Sequence, residues 1–183
     1  MSDLLALDGV ACVRGGRLLF EGLSLTLGPA AAALARGPNG AGKSSLLRLA
    51  AGLLRPAAGN VGRAEAALAD EHLALDERQR LGDALAFWVK DAAAGIAAMG
   101  LEPLTEVPVR MLSTGQRKRA TLARVVASGA SLWLLDEPAN GLDADGQISL
   151  AAAMEAHRAA GGAILAASHQ PIALEGAQIV TLG

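Results

Sequence analysis

The sequence predicts an α/β fold with a mostly parallel central sheet, antiparallel strands at the N-terminus and a small helical insert. Three observations predict it. The loop Gly37-Pro38-Asn39-Gly40-Ala41-Gly42-Lys43-Ser44 joins a short apolar run to a leucine-rich helical pattern. Short apolar runs alternate with helical patterns towards the C-terminus, as parallel strands linked by helical crossovers require. A pair of helical patterns in mid-chain interrupts that alternation and marks the insert.

Residues 4 to 27 hold two runs rich in Leu and Val, broken by Gly15-Gly16 and closed by Gly28-Pro29, the pattern of an antiparallel strand pair. Residues 31 to 36 form a short apolar strand that feeds the glycine loop. Leu46, Leu47, Leu49, Ala50 and Leu53 then recur at helical spacing. Residues 55 to 80 carry turn markers and a charged stretch and give no legible element. Asp83 is a candidate cap for one helix carrying Leu85, Phe87, Trp88, Ile96 and Met99, ended near Gly100 and Pro103. A second helix is expected over 114–127, a buried strand over 131–135, a helix over 147–160, and final strands over 163–167 and 179–182. These elements read as one domain over residues 1–183, with a core of about 1–75 and 128–183 and a helical insert of about 76–127.

With 183 residues the chain has the length to bury a core without disulfides or metals. Sixteen Lys plus Arg against 18 Asp plus Glu give no electrostatic case for a nucleic-acid partner. The single Cys12 cannot form an internal disulfide, and no Cys or His set surrounds it. No apolar window approaches the ~18 residues of a membrane span, and the first residues lack the layout of an export signal. Apolar residues make up 52% of the chain, yet much of this is alanine, so the core must rest on Leu, Val and Ile.

Gly37 to Ser44 fits G-x-x-x-x-G-K-[ST], a phosphate-binding loop, with Ser45 continuing it into the helix. Gly40 and Gly42 let successive N–H groups turn towards phosphate oxygens, Lys43 neutralises the β and γ phosphates, and Ser44 coordinates Mg²⁺. Further on, Asp136 and Glu137 close an apolar strand. One carboxylate there suits a metal and the other suits a water molecule. The third element is Leu112-Ser113-Thr114-Gly115-Gln116, where Ser113 and the first N–H groups of the following helix make an anion site, or Ser113 simply caps the helix.

That L-S-x-G-Q run, lying between the phosphate loop and Asp136-Glu137, resembles the signature of ATP-binding cassette (ABC) ATPases. Asn140-Gly141-Leu142-Asp143 and Ala166-Ala167-Ser168-His169 resemble the family's later landmarks, so the likeness spans residues 37 to 169. It implies a head-to-tail homodimer enclosing two Mg-ATP molecules. Each would be held by the loop of one subunit and by Ser113, Gly115 and Gln116 of the other. It also implies that Asp136 organises Mg²⁺, that Glu137 activates water and that His169 contacts the γ phosphate.

Two family landmarks are altered. Arg14 stands 29 positions before Lys43, where the family places an aromatic adenine platform. A planar guanidinium stacks on a base, but the residue also suits a solvated turn. Glu71 and His72 occupy the region of the family's loop glutamine. The runs around residues 14–20, 37–48, 87–88 and 131–138 further resemble ATP-binding subunits of cytochrome c maturation export systems. That likeness implies integral membrane permease partners, haem as the exported cargo and a peripheral place on the cytoplasmic side of the inner membrane. An ATPase for another small solute and a soluble, non-transport cassette remain the alternatives.

Three further expectations concern residues outside these motifs. Adjacent aromatics on a helix usually send one ring into the core, which is the reading for Phe87 and Trp88, with a membrane-partner surface as the rival. Cys12 reads as a small buried residue and not a haem ligand. Arg117-Lys118-Arg119 reads as a solvated or phosphate-adjacent helix face.

Overall fold

A computed structural model describes residues 3–70 and 75–183. Its β-structure forms two sheets. Strands β1 (Leu5–Arg14), β2 (Arg17–Leu27) and β4 (Ala58–Arg63) make an antiparallel sheet in the order β2-β1-β4. Strands β3 (Ala32–Arg36), β5 (Ala66–Ala69), β6 (Leu132–Asp136), β7 (Ala163–Ala167) and β8 (Gln178–Thr181) make a parallel sheet in the order β5-β6-β7-β3-β8. The β1–β2 turn needs two left-handed residues, and Gly15 and Gly16 supply them at φ 55° and 77°.

Helices cover both faces of the parallel sheet, so its middle strands are apolar throughout instead of alternating. Every residue of β6 and β7 is buried. Successive side chains still point to opposite faces. Leu132 and Leu134 join a core with α1 (Lys43–Ala50) and the antiparallel strands, through Leu46, Leu47, Leu5 and Leu27. Trp133 and Leu135 join a second core with α4 (Thr114–Ala127), α5 (Ala144–Ala159) and the short helices α2 (Leu81–Ala86) and α3 (Ala93–Ala98). The insert therefore completes the hydrophobic cover of one sheet face. Its approach is close: a methyl group on Gly95 of α3 would overlap the Ala123 carbonyl of α4.

Several elements differ from the sequence expectation. Helix α1 ends at Ala50 because Gly52 takes a left-handed turn at φ 74°, which leaves Leu53 exposed at 70%. Strands β4 and β5 fill the stretch that reads as no element; β4 carries one apolar side chain larger than alanine, and β5 is three alanines and a leucine. The single helix expected from Asp83 is two. Arg80, not Asp83, stands at the N-cap of α2, and Asp91 accepts the Ala93 N–H at 2.9 Å to start α3.

That break puts both aromatics outside the core. Phe87 is 79% exposed and Trp88 47%, their rings meeting edge to face at 5.5 Å. The Arg124 guanidinium lies 5.1 Å from the Trp88 ring centre and donates to Leu68 O at 2.6 Å, tying α4 to β5. Burial pushes the Arg124 pKa down, and the nearby Asp70 opposes that.

From α5, the His157 ring stacks on Trp133 of β6 with centres 3.9 Å apart, and its Nε2 lies 3.3 Å from Ala163 O. Burial holds its pKa below the ordinary 6.5. The fold thus favours the neutral ring, and its contribution to stability is present above about pH 6.5 and lost as pH falls below it. Denaturant midpoints measured against pH are expected to drop below about pH 6.5 for the parent, and to drop less for His157→Gln.

Candidate functional site

Strand β3 delivers the chain to the glycine loop, and α1 starts at Lys43 immediately after it. Gly40 and Gly42 stand at φ 81° and 104°, a backbone region costly for any side chain. Space is tight as well, since a methyl on Gly42 would lie 3.1 Å from the Phe20 ring, and one on Gly37 would overlap Leu182 O. Pro38 packs near Gly183, while Ala41 is buried, so the loop rests on β2 and the end of β8. Lys43 is only 8% exposed, and its Nζ donates to Gly37 O at 2.8 Å and Pro38 O at 3.1 Å. Beneath the helix start, burial raises the Cys12 thiol pKa, opposed by a hydrogen bond with Ser45 and by Arg14.

A cavity of about 360 Å³ opens over this loop. Asn39, Gly40, Gly42, Lys43, Ser44 and Ser45 line it, joined by Asp136 and Glu137 from the end of β6. Arg14 reaches its rim from the end of β1, beside Leu19 of β2. Leu19 is not a site residue by sequence, because within the apolar run Leu18-Leu19-Phe20 of β2 nothing distinguishes it from core.

Glu137 adopts φ 44°, which a non-glycine residue occupies only when its surroundings hold it there. Its N–H donates to Ala167 O at 2.8 Å. Its Oε2 lies 2.8 Å from His169 Nδ1 and accepts the His169 N–H at 3.3 Å. Ser168 fixes the turn beneath, its Oγ bonded to both the N–H and the carbonyl of Gln170. Asp136 is 8% exposed, and it lines a second cavity of about 300 Å³ together with Ser44, Asp70, Glu137, Lys118 and Asn140. Glu71 and His72 lie outside the described residues.

Ser113 caps α4 in a reciprocal box: its Oγ accepts the Gln116 N–H at 3.2 Å, and its own N–H donates to Gln116 Oε1 at 2.9 Å. A methyl on Gly115 would lie 3.0 Å from Gly141 O, so the signature abuts the segment that Asp143 ends by capping α5. Among the described residues, Ser113, Gly115 and Gln116 line neither cavity. The structure brings Arg14, the loop, Asp136, Glu137 and His169 together, and of the signature it brings Thr114 to the 300 Å³ cavity.

The basic run after it is half-buried, not fully solvated, and Arg117 and Lys118 line the 300 Å³ cavity with Ser44 and Asp136. Arg117 donates to Leu112 O at 3.1 Å and Arg110 O at 2.7 Å and pairs with Glu77 at 3.3 Å. Lys118 Nζ donates to Asp136 O at 3.2 Å, and Arg119 reaches Met99 O and Asp143. Backbone carbonyls within reach of these long side chains accept from them, a pairing invisible in three consecutive basic letters.

Residues 20–140 match the family model for ABC transporters. The chain is 56% identical over 191 residues to the cytochrome c biogenesis ATP-binding export protein CcmA of Sphingopyxis alaskensis, covering all of this chain and 98% of that one. It is 58% identical to the protein of that name from Novosphingobium aromaticivorans, covering 94% and 91%. A solved ATP-binding subunit of an ABC transporter shares the fold, with a TM-score of 0.87 at 20% identity over 98% of this chain and 85% of that one. The chain belongs to the ATP-binding subunits of the ABC transporter family, within the group of cytochrome c biogenesis ATP-binding export proteins.

Proposed function

We propose that this chain is the ATP-hydrolysing subunit of a cytochrome c maturation export complex whose cargo is haem. It would work with Mg²⁺ as a head-to-tail homodimer, against integral permease subunits, on the cytoplasmic side of the inner membrane. Membership of the family carries ATP binding and hydrolysis. The relatives' name, cytochrome c biogenesis ATP-binding export protein, supports an exported cargo of that process and a permease. Among the described residues, no helix is long and apolar enough to cross a membrane, which accords with a separate permease. The boundary at about residues 76 and 127 is proposed as that of the insert.

One observation supports the residue roles above all: Lys43, Ser44, Asp136 and Glu137 converge on one cavity while Ser113 and Gly115 stand outside it. In this reading Lys43 leaves the Gly37 and Pro38 carbonyls for the β and γ phosphates, and the N–H groups of the loop and of the first turn of α1 face their oxygens. Ser44 and Asp136 supply two oxygen donors, the small protein share that suits an ion also bound by phosphate and water. Mg²⁺, when bound, neutralises charge that develops on the phosphates. Glu137 orients and deprotonates the attacking water, and His169 holds Glu137 and completes the γ-phosphate contacts. The γ phosphate bridges to Ser113 and Gly115 of a second copy, which closes the dimer until hydrolysis releases it.

Glu137→Gln is expected to lower kcat for ATP about 100-fold or more while ATP binding persists. Hydrolysis at the parent rate would contradict the reading. Arg14 and Leu19 offer the base no ring and no demonstrated hydrogen-bond readout. kcat/KM for ATP and GTP, measured side by side, is expected to agree within about 10-fold.

A further inference from the structure

Lys118 sits in the second turn of α4, five residues after Ser113, and its side chain turns towards the sheet. It lines the 300 Å³ cavity with Ser44, Asp70, Asp136 and Glu137. The Asp136 oxygen that its Nζ meets at 3.2 Å belongs to the peptide unit joining Asp136 to Glu137. The N–H of that same unit donates to Ala167 O at 2.8 Å. The unit is thus held from both sides, by an ammonium on α4 and by a carbonyl of β7.

That double hold falls where the backbone is strained. Glu137 follows at φ 44°, and rotation of the preceding peptide is the direct way to relieve a left-handed residue. Such a rotation would carry the Glu137 carboxylate away from His169, which it now meets at 2.8 Å. An ammonium donor makes a stronger restraint than a neutral one, and its three protons tolerate small shifts of α4.

We propose that Lys118 is a positioning residue for hydrolysis: through the Asp136 carbonyl it keeps Glu137 in its left-handed conformation and so aims the carboxylate. The proposal rests on the role given above to Glu137, and it requires no contact between Lys118 and nucleotide. It also joins the start of α4 to the end of β6. A displacement of the helix that begins with the Ser113 signature moves the ammonium that holds the same subunit's Glu137.

The test is ATP hydrolysis by the full chain carrying Lys118→Met, Lys118→Gln or Lys118→Arg, beside the parent and Glu137→Gln, with thermal midpoints as a check of folding. Lys118→Met removes the donor and keeps the stem, and its kcat is expected to fall about 10- to 100-fold. KM and ATP affinity should stay within about 2-fold of the parent. Lys118→Arg, which keeps a charged donor, should recover most of the rate. Should Lys118→Met not fold, Lys118→Gln carries the same comparison, with an intermediate kcat and an unmoved KM. Lys118→Met turning over at the parent kcat overturns the proposal. So does a joint loss of kcat and ATP affinity that arginine fails to restore. A parent without ATPase activity, or Glu137→Gln at the parent rate, overturns the role of Glu137 and this proposal with it, and either is seen without any Lys118 variant.

Discussion

Strands β6, β7 and β3 lie side by side and parallel, so their carboxyl ends open on one edge of one sheet. The glycine loop leaves β3, His169 follows β7, and Asp136 and Glu137 end β6. Residues more than a hundred positions apart in the chain meet there because helical crossovers allow no other relation between the strands. The register pairs Asp136 with Ala167, and the next residue, Glu137, returns its N–H to that same Ala167. A shift of one residue in that pairing would turn both carboxylates to the wrong side.

Helix α4 serves two purposes, one with its first turns and one with its inner face. At its N-terminus Thr114 lines the 300 Å³ cavity, while Ser113 and Gly115 line neither cavity. Its inner face packs Ala120, Leu122, Ala123 and Val125 into the core shared with the insert. Between them, Arg117, Lys118 and Arg119 reach three separate backbone segments, at Leu112, Asp136 and Met99. A helix held in this way moves as a unit with what it touches. In the proposed dimer the signature of one copy would therefore report, through its own α4, to its own metal carboxylate.

Much of this was readable from the sequence because it rests on strong local rules. The glycine loop demands its residues by backbone conformation, and α4 begins and ends where its capping box and apolar pattern predict. The strands 163–167 and 132–136 are apolar runs of the length that buried parallel strands require. The failures have equally physical causes. Alanine in β5 carries helix preference, yet pairing with β6 overrides it. Phe87 and Trp88 look like core by composition, but the break after α2 and the Arg124 contact hold them at the surface. The roles of Arg14 and of Gly115 and Gln116 come from resemblance, and the three-dimensional arrangement places Arg14 at the cavity over the glycine loop and the signature outside that cavity.

In the proposed function the nucleotide site of one chain is completed by Ser113 and Gly115 of a second copy. The molar mass of Glu137→Gln in solution, measured by light scattering with Mg²⁺ and either ATP or ADP, tests this most directly. The account predicts two subunits with ATP and one with ADP, and predicts that replacing Ser113 and Gly115 abolishes the ATP-dependent doubling. A single subunit under every condition, or a dimer indifferent to nucleotide and to Ser113 and Gly115, would contradict it.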